Sequence, residues 1–260
     1  MTDISIKDYS PSTDILKNKT ILITGAANEL GHSLSLELAK YGATIILLDK
    51  PVKKLEQIYD EIEQNGGPQA AILPMDLAQA EEHDYQTLAQ AIGENFTQLD
   101  GLILNAEILG QHGPITHSDL EQWNRTLKTN LTANFLLLKH CSSVLNQSTQ
   151  ASCLYVSNTV AQQGRAYWGS YASTKSACLN LIETVADEWE TNTNIHLNSL
   201  DPGPLNTALR RQAMPGEDPA QLPLPITVIK PFLYFMDPGI KWPNGKHFSW
   251  ASADKILTEN

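Results

Sequence analysis

Thr24-Gly25-Ala26-Ala27-Asn28-Glu29-Leu30-Gly31 is the turn from which the rest of this chain can be read. It joins an apolar, β-branched run, Thr20–Thr24, to a helical pattern over Glu29–Tyr41. Glycine at a strand-to-helix turn permits a tight bend and close approach of the backbone to a pyrophosphate. The helix behind it offers unpaired N–H groups and the positive end of a dipole. Gly25, Asn28, Leu30 and Gly31 are therefore candidate phosphate-binding residues.

Downstream of this turn, short apolar runs alternate with helical patterns, the signature of an α/β fold with a parallel sheet. The expected strands are Thr20–Thr24, Thr44–Leu48, Ala70–Leu73, Gly101–Leu104, Ala151–Val156, Ile195–Leu200 and, more weakly patterned, Lys246–Trp250. The expected helices are Glu29–Tyr41, Val52–Asn65, Glu82–Asn95, Asp119–Gln147 and Ser170–Thr191. The fourth helix carries Leu127, Leu131, Phe135, Leu136 and Leu138 around much of its circumference, which implies burial on two sides, within one chain or against a second copy. After Asp201 the pattern gives way to a proline-rich stretch, Pro202 to Pro225, expected as irregular surface with short helices that can cover a cleft.

Eighteen residues after Gly31, at the end of the second expected strand, stands Asp49. A carboxylate there suits the two ribose hydroxyls of NAD and opposes the 2′-phosphate of NADP, although Lys50 follows it and blunts the discrimination. NAD is favoured on this reading. Asp76, followed by Leu77, ends the third strand where it can meet an adenine amino group; the alternative is a helix cap.

Composition narrows the function classes. The chain has 260 residues, 42% of them apolar, enough for one large domain. A net charge of -11 argues against nucleic acid or an anionic membrane as partner. Cys141, Cys153 and Cys178 are too few and too scattered for a disulfide framework or a metal site, and no metal is expected. The segment Met1–Pro11 lacks an apolar signal core and no run approaches a membrane span, so a cytoplasmic protein is expected.

Tyr171 and Lys175, in Ser170-Tyr-Ala-Ser-Thr-Lys175, are four residues apart and share a helix face. An ammonium beside a phenol favours the phenolate, so the tyrosine is expected to ionise more easily than usual. Such a tyrosine can exchange a proton with an alcohol or carbonyl near neutral pH.

Taken together, the turn at Thr24–Gly31, Asp76, Leu104-Asn105-Ala106, Asn130, Tyr171 with Lys175, and Asp201-Pro202-Gly203 resemble, in order and spacing, the short-chain dehydrogenase/reductase family. The resemblance runs from Asn18 to about Trp250. It implies a single, doubly wound Rossmann-fold domain over residues 1–260 with a seven-stranded parallel sheet flanked by helices, residues 1–17 forming an N-terminal extension. It implies hydride transfer between NAD or NADP and an alcohol or carbonyl of a small-molecule substrate. Tyr171 would be the general acid/base, Lys175 would hold the nicotinamide ribose, and Asn130 would hold a water that relays protons through Lys175. Asn105 and Ala106 would line the cofactor cleft, and Pro202 and Gly203 would shape the loop beside the nicotinamide. A homodimer or homotetramer through the helices around 119–147 and 170–191 is implied as well.

Three positions depart from the family pattern. Glu29 replaces the second glycine of TGxxxGxG. A glutamate about 6 Å from a phosphate charge, at an effective dielectric near 20, repels it by roughly 3 kcal/mol, about a hundredfold in affinity, unless it turns to solvent. Glu107 replaces the glycine of NAG and crowds the same ligand unless the loop bends away. Asn158 stands where the family has its serine; its amide can also donate a hydrogen bond to a substrate oxygen. Arg165 can pair with Glu107 or with an anionic substrate, and Arg210 and Arg211, in the covering segment, can meet a substrate carboxylate or phosphate or form a solvated face. Three readings follow: an NAD(P)-dependent oxidoreductase of reduced or unusual activity whose cofactor binding is weakened, a non-catalytic binding or regulatory subunit in which it is lost, or a cleft that holds a cationic or neutral metabolite against the two glutamates.

Overall fold

The computed structural model describes residues 4–6, 8–252 and 255–259. The first long strand, Thr20–Thr24, is buried along its whole length, as expected of a parallel strand covered on both faces. In chain order the strands are β1 (Ile4–Ser5), β2 (Thr20–Thr24), β3 (Thr44–Asp49), β4 (Ala71–Pro74), β5 (Gly101–Leu104), β6 (Ala151–Val156), β7 (Ile195–Asp201), β8 (His247–Ser252) and β9 (Lys255–Glu259). They form one sheet in the order β1-β9-β8-β7-β6-β5-β2-β3-β4. Strands β2 to β8 are parallel, the seven-stranded arrangement expected. The sequence did not disclose β9, which pairs antiparallel with β8, nor β1, which pairs antiparallel with β9. The segment expected as an N-terminal extension is packed into the body, with Ile6 and Leu16 buried.

The helices are α1 (Glu29–Lys40), α2 (Val52–Gln64), α3 (Glu82–Phe96), α4 (Leu120–Leu127), α5 (Ala133–Leu145), α6 (Gly169–Trp189), α7 (Ala208–Ala213) and α8 (Ile229–Met236). One apolar layer, with Leu34, Leu38, Phe232 and Phe235, covers one face of the sheet. The other layer, with Leu88, Ile92, Leu137, Cys141 and Ile182, covers the opposite face. No helix among the described residues is long and apolar enough to cross a membrane.

The single helix expected over 119–147 is interrupted by a π-helical turn at Lys128–Thr132 that separates α4 from α5. The cause is tertiary. Asn130 Oδ1 accepts from the Ile108 amide at 2.9 Å, and its Nδ2 donates to the Ile108 carbonyl at 2.9 Å. The proline-rich stretch does hold short elements, among them α7, and is followed by α8, an apolar helix the sequence did not disclose.

At the lower edge of the sheet, the Asp100 carboxylate, 6% exposed, accepts hydrogen bonds from Lys19 Nζ (2.9 Å), the Thr20 amide (3.0 Å), Gln98 Nε2 (2.9 Å) and Ser148 Oγ (2.7 Å). The strand order reverses between β2 and β5, so the carboxyl ends of these strands open a crevice on the opposite edge.

Candidate active site

Two glycines make the first wall of that crevice. Gly25 has φ +65°, and a methyl group on it would stand 2.9 Å from the Ala106 Cα. A methyl group on Gly31 would stand 2.1 Å from the Gly25 carbonyl oxygen, so no side chain fits there. Asn28 caps α1 by accepting the Gly31 amide at 2.8 Å. Asn105 braces the neighbouring strand end. Its Nδ2 donates to the carbonyls of Thr24 (2.9 Å) and Gly25 (3.2 Å), while Thr24 Oγ1 accepts the amides of Asn105 and Ala106 at 3.0 Å each.

The crevice has a volume of about 580 Å³ and runs past Gly25, Asp49, Lys50, Lys54, Asp76 and Leu77. Asp49 spends both carboxylate oxygens on the local backbone. Oδ2 accepts the Ala27 amide at 3.0 Å and Oδ1 the Lys50 amide at 2.7 Å. Asp76 accepts the Ala78 amide at 3.0 Å, the cap-like alternative, with its other oxygen left over. No side-chain hydrogen bond or ion pair engages the ammonium groups of Lys50 and Lys54 among the described residues.

A second, narrower chamber of about 180 Å³ continues from it, sharing Asn28, Glu29 and Glu107 as walls. Leu30, Asn105, Asn158, Pro202 and Gly203 border this chamber, and the segment carrying α7 covers it. Gly203 has φ +79°, and its amide donates to Asp201 Oδ1 at 2.7 Å. Here the structure places both glutamates flagged in the sequence. Glu29 reaches across the cleft to the covering segment: its Oε1 accepts the Ala208 amide at 2.8 Å and pairs with Arg211 Nη2 at 3.2 Å. Its charge therefore has a partner, and the repulsion expected for a phosphate is partly answered. Arg210 forms a bidentate pair with Glu217 at 2.6 and 2.8 Å.

Glu107 does not bend away. Its Oε2 lies 2.6 Å from Lys175 Nζ and accepts the Tyr171 hydroxyl at 2.9 Å. Arg165, for which pairing with Glu107 was one of two alternatives, borders a separate surface hollow. Tyr171 is 1% exposed and Lys175 3%; Lys175 also donates to the Val156 carbonyl at 2.8 Å. The expected easing of tyrosine ionisation by Lys175 is reversed in this state. Burial first, and then the Glu107 carboxylate, push the Tyr171 phenol well above its usual range. Lys175 cannot offset this because Glu107 answers its charge.

Asn158 caps the short turn that follows β6, accepting the Val160 amide on Oδ1 at 3.1 Å. That bond leaves Nδ2 as the atom free to donate, with the substituent polarity the family serine supplies. The Asn130 side chain bonds Ile108 and Thr174 Oγ1 (3.3 Å), and its carbonyl accepts Asn134 Nδ2 (2.7 Å) and Cys178 Sγ (3.1 Å), bonds that organise the π turn. Trp168 packs on Tyr171 with ring centroids 5.6 Å apart.

Comparison with known proteins agrees with this geometry. The sequence pattern of the family described as short chain dehydrogenase matches residues 19–218. An uncharacterized oxidoreductase of Escherichia coli K12, YciK, is 33% identical over 240 residues, 92% of this chain and 94% of the relative. A short chain dehydrogenase structure from Shigella flexneri 2a, complexed with NADP, superposes with a TM-score of 0.88 at 33% identity, covering 92% of this chain and 99% of the other. One from Escherichia coli CFT073, complexed with NADPH, gives 0.88 at 34% identity with the same coverage, 92% and 99%.

Proposed function

The chain belongs to the short-chain dehydrogenase family and is an NAD(P)-dependent oxidoreductase, and from that premise we propose that it interconverts an alcohol and a carbonyl using NADP(H). The observation that carries the chemistry is the buried Tyr171–Lys175 pair, joined through Glu107 to a chamber continuous with a nucleotide-sized crevice. The non-catalytic alternative is not favoured.

The residues present fit the nucleotide. The turn Gly25–Gly31 would take the diphosphate, Asp76 and Leu77 the adenine, and Lys175, whose ammonium donates to Val156 and pairs with Glu107, the nicotinamide ribose through its third N–H. The bound nucleotide supplies the hydride. Tyr171 exchanges the proton with the substrate oxygen, and Asn158 Nδ2 donates a hydrogen bond to that oxygen. Pro202 and Gly203 shape the wall against which the ring lies.

The preference for NAD expected from Asp49 gives way to NADP(H). Asp49 has both oxygens engaged by backbone amides, so less of its charge faces a ribose. Lys50 and Lys54 border the same end with ammonium groups available for a 2′-phosphate. The two structural neighbours cited above carry NADP and NADPH, which supports the same choice. Isothermal titration of the protein with NADH and NADPH in parallel tests this reading: tighter NADPH supports it, and tighter NADH sinks it.

Two further parts of the reading concern surroundings. Leu120 is 70% exposed and Phe135 44% exposed, on α4 and α5, which supports a homodimer or homotetramer through α4–α5 and α6. Three buried, unpaired thiols suit a reducing compartment such as the cytoplasm.

A further inference from the structure

A tyrosine that gives its proton to a substrate must regain it from water before the next turnover. Neither member of the catalytic pair reaches solvent: Tyr171 and Lys175 are 1% and 3% exposed. Asn130, whose expected task was to hold a relaying water behind Lys175, bonds Ile108, Thr174, Asn134 and Cys178 and makes no hydrogen bond to either member of the pair among the described residues. One polar side chain touches both members and also borders the open crevice. Glu107 Oε2 meets Tyr171 Oη at 2.9 Å and Lys175 Nζ at 2.6 Å, and its side chain is 23% exposed. Its Oε1 takes part in no hydrogen bond among the described residues.

We propose that Glu107 is the proton relay between Tyr171 and water, a role that rests on the oxidoreductase reading above. In the direction of reduction, the Tyr171 O–H bond breaks and its proton passes to the substrate oxygen as hydride reaches the carbonyl carbon. The hydroxyl hydrogen selects between Glu107 and the substrate by rotation about the Cζ–Oη bond, with no movement of heavy atoms. The Glu107 carboxylate then takes a proton from water in the crevice, leaving hydroxide there, and the carboxylic acid so formed passes a proton to the phenolate, which returns Glu107 to the carboxylate and Tyr171 to the phenol. Oxidation of an alcohol runs the same transfers in reverse. Lys175 holds the relay in place, since its ammonium grips the same oxygen that faces Tyr171.

The pKa direction of the resting state agrees with this contact. Burial, then Glu107, raise the Tyr171 phenol, so the tyrosine begins each cycle protonated. The other charged groups facing it are Asp201, at the end of β7, and Arg210, on α7; they act in opposite senses.

A relay makes a prediction that a positioning role does not. In the Glu107→Gln variant Tyr171 still carries a proton for the first turnover but regains the next one slowly. Rapid mixing of NADPH-loaded protein with a panel of aldehydes, ketones and 2,3-butanedione should therefore show one equivalent of NADPH oxidised at the wild-type rate. Steady-state turnover should then be lower by about 10- to 100-fold, within the range of general acid–base contributions. Formate added to Glu107→Ala should restore the steady state. In the cofactor-free protein, tyrosinate absorbance, read as the difference from Tyr171→Phe, should show Tyr171 ionising at lower pH in Glu107→Gln than in the wild type.

Equal steady-state rates for Glu107→Gln and wild type, or a faster variant, would make Glu107 a plug and overturn the relay. A first turnover slowed as much as the later ones would make it a positioning residue, with the same consequence. An unchanged tyrosinate titration would remove the contact itself. Wild-type protein that binds no NADPH, or reduces no member of the panel, fails at the level of the proposed function and takes the relay with it. Should the Gln variant not fold, Glu107→Ala with and without formate decides the matter.

Discussion

The two ends of the cleft are built on opposite principles. At the end proposed for the adenine, Gly25 and Gly31 clear the turn, and Lys50 and Lys54 stand at the rim with no side-chain partner for their ammonium groups among the described residues. At the end proposed for the nicotinamide, strong charges are paired inside the protein. Lys175 pairs with Glu107, Glu29 with Arg211, and Arg210 with Glu217. The open end leaves its groups to an incoming ligand, whereas the self-paired end holds its charges in place.

The sharpest way to break this contrast lies at the self-paired end. Tyr171→Phe should lower turnover by about 10²–10⁴-fold while leaving NADPH affinity within a few-fold of the wild type. Steady-state NADPH oxidation beside isothermal titration reads both numbers. Asn158→Asp comes next. The aspartate keeps the oxygen that accepts the Val160 amide but loses the donor, so the turn should survive. Turnover should fall by about 10²–10³-fold, the cost of one such donor, with a melting temperature close to wild type. A fall in both would mean that Asn158 serves the turn alone.

At the open end the expected effects are smaller. Lys54→Ala should weaken NADPH by about tenfold, ~1.4 kcal/mol, and leave NADH unchanged, as fluorescence titration of both nucleotides would show. Smallest is the strap over the chamber. Glu29–Arg211 is half-exposed, and such pairs contribute about 0–1 kcal/mol. Arg211→Ala should therefore change the NADPH dissociation constant by no more than about fivefold. A larger change would mean that the covering segment governs entry, and the contrast between the two ends would need redrawing.

Much of the frame was legible because its signals are local. Strands β2, β3, β5, β6 and β7 are short runs rich in apolar residues and buried along most of their length, and such runs announce themselves without knowledge of their neighbours. What escaped notice depends on contacts between distant residues. The π turn exists because Asn130 exchanges hydrogen bonds with Ile108, 22 positions away. Strand β1 is a strand because it pairs with β9, from the opposite end of the chain. At the site, Tyr171, Lys175, Glu29, Glu107 and Asn158 were all singled out by position. Their bonding was not readable: Glu107 meets Tyr171 across 64 residues, and spacing cannot reveal which way a flexible carboxylate turns. Asp49 taught the converse, since a residue in the expected place had its charge engaged by its own neighbours.

The Asp100 carboxylate, on the edge of the sheet farthest from this chemistry, sets the level of the cleft. Its four donors fix the feet of β2 and β5 and, through Ser148, the approach to β6. From there each strand climbs a counted distance: five residues of β2, about 17 Å, end at Thr24 and the glycine turn. Four residues of β5 end just before Asn105, and six residues of β6 end just before Ser157 and Asn158. A slip of one residue at the base would turn alternate side chains to the other face and carry Glu107 away from Tyr171. Asp100 thus serves as the zero mark of a ruler whose far end is the catalytic pair.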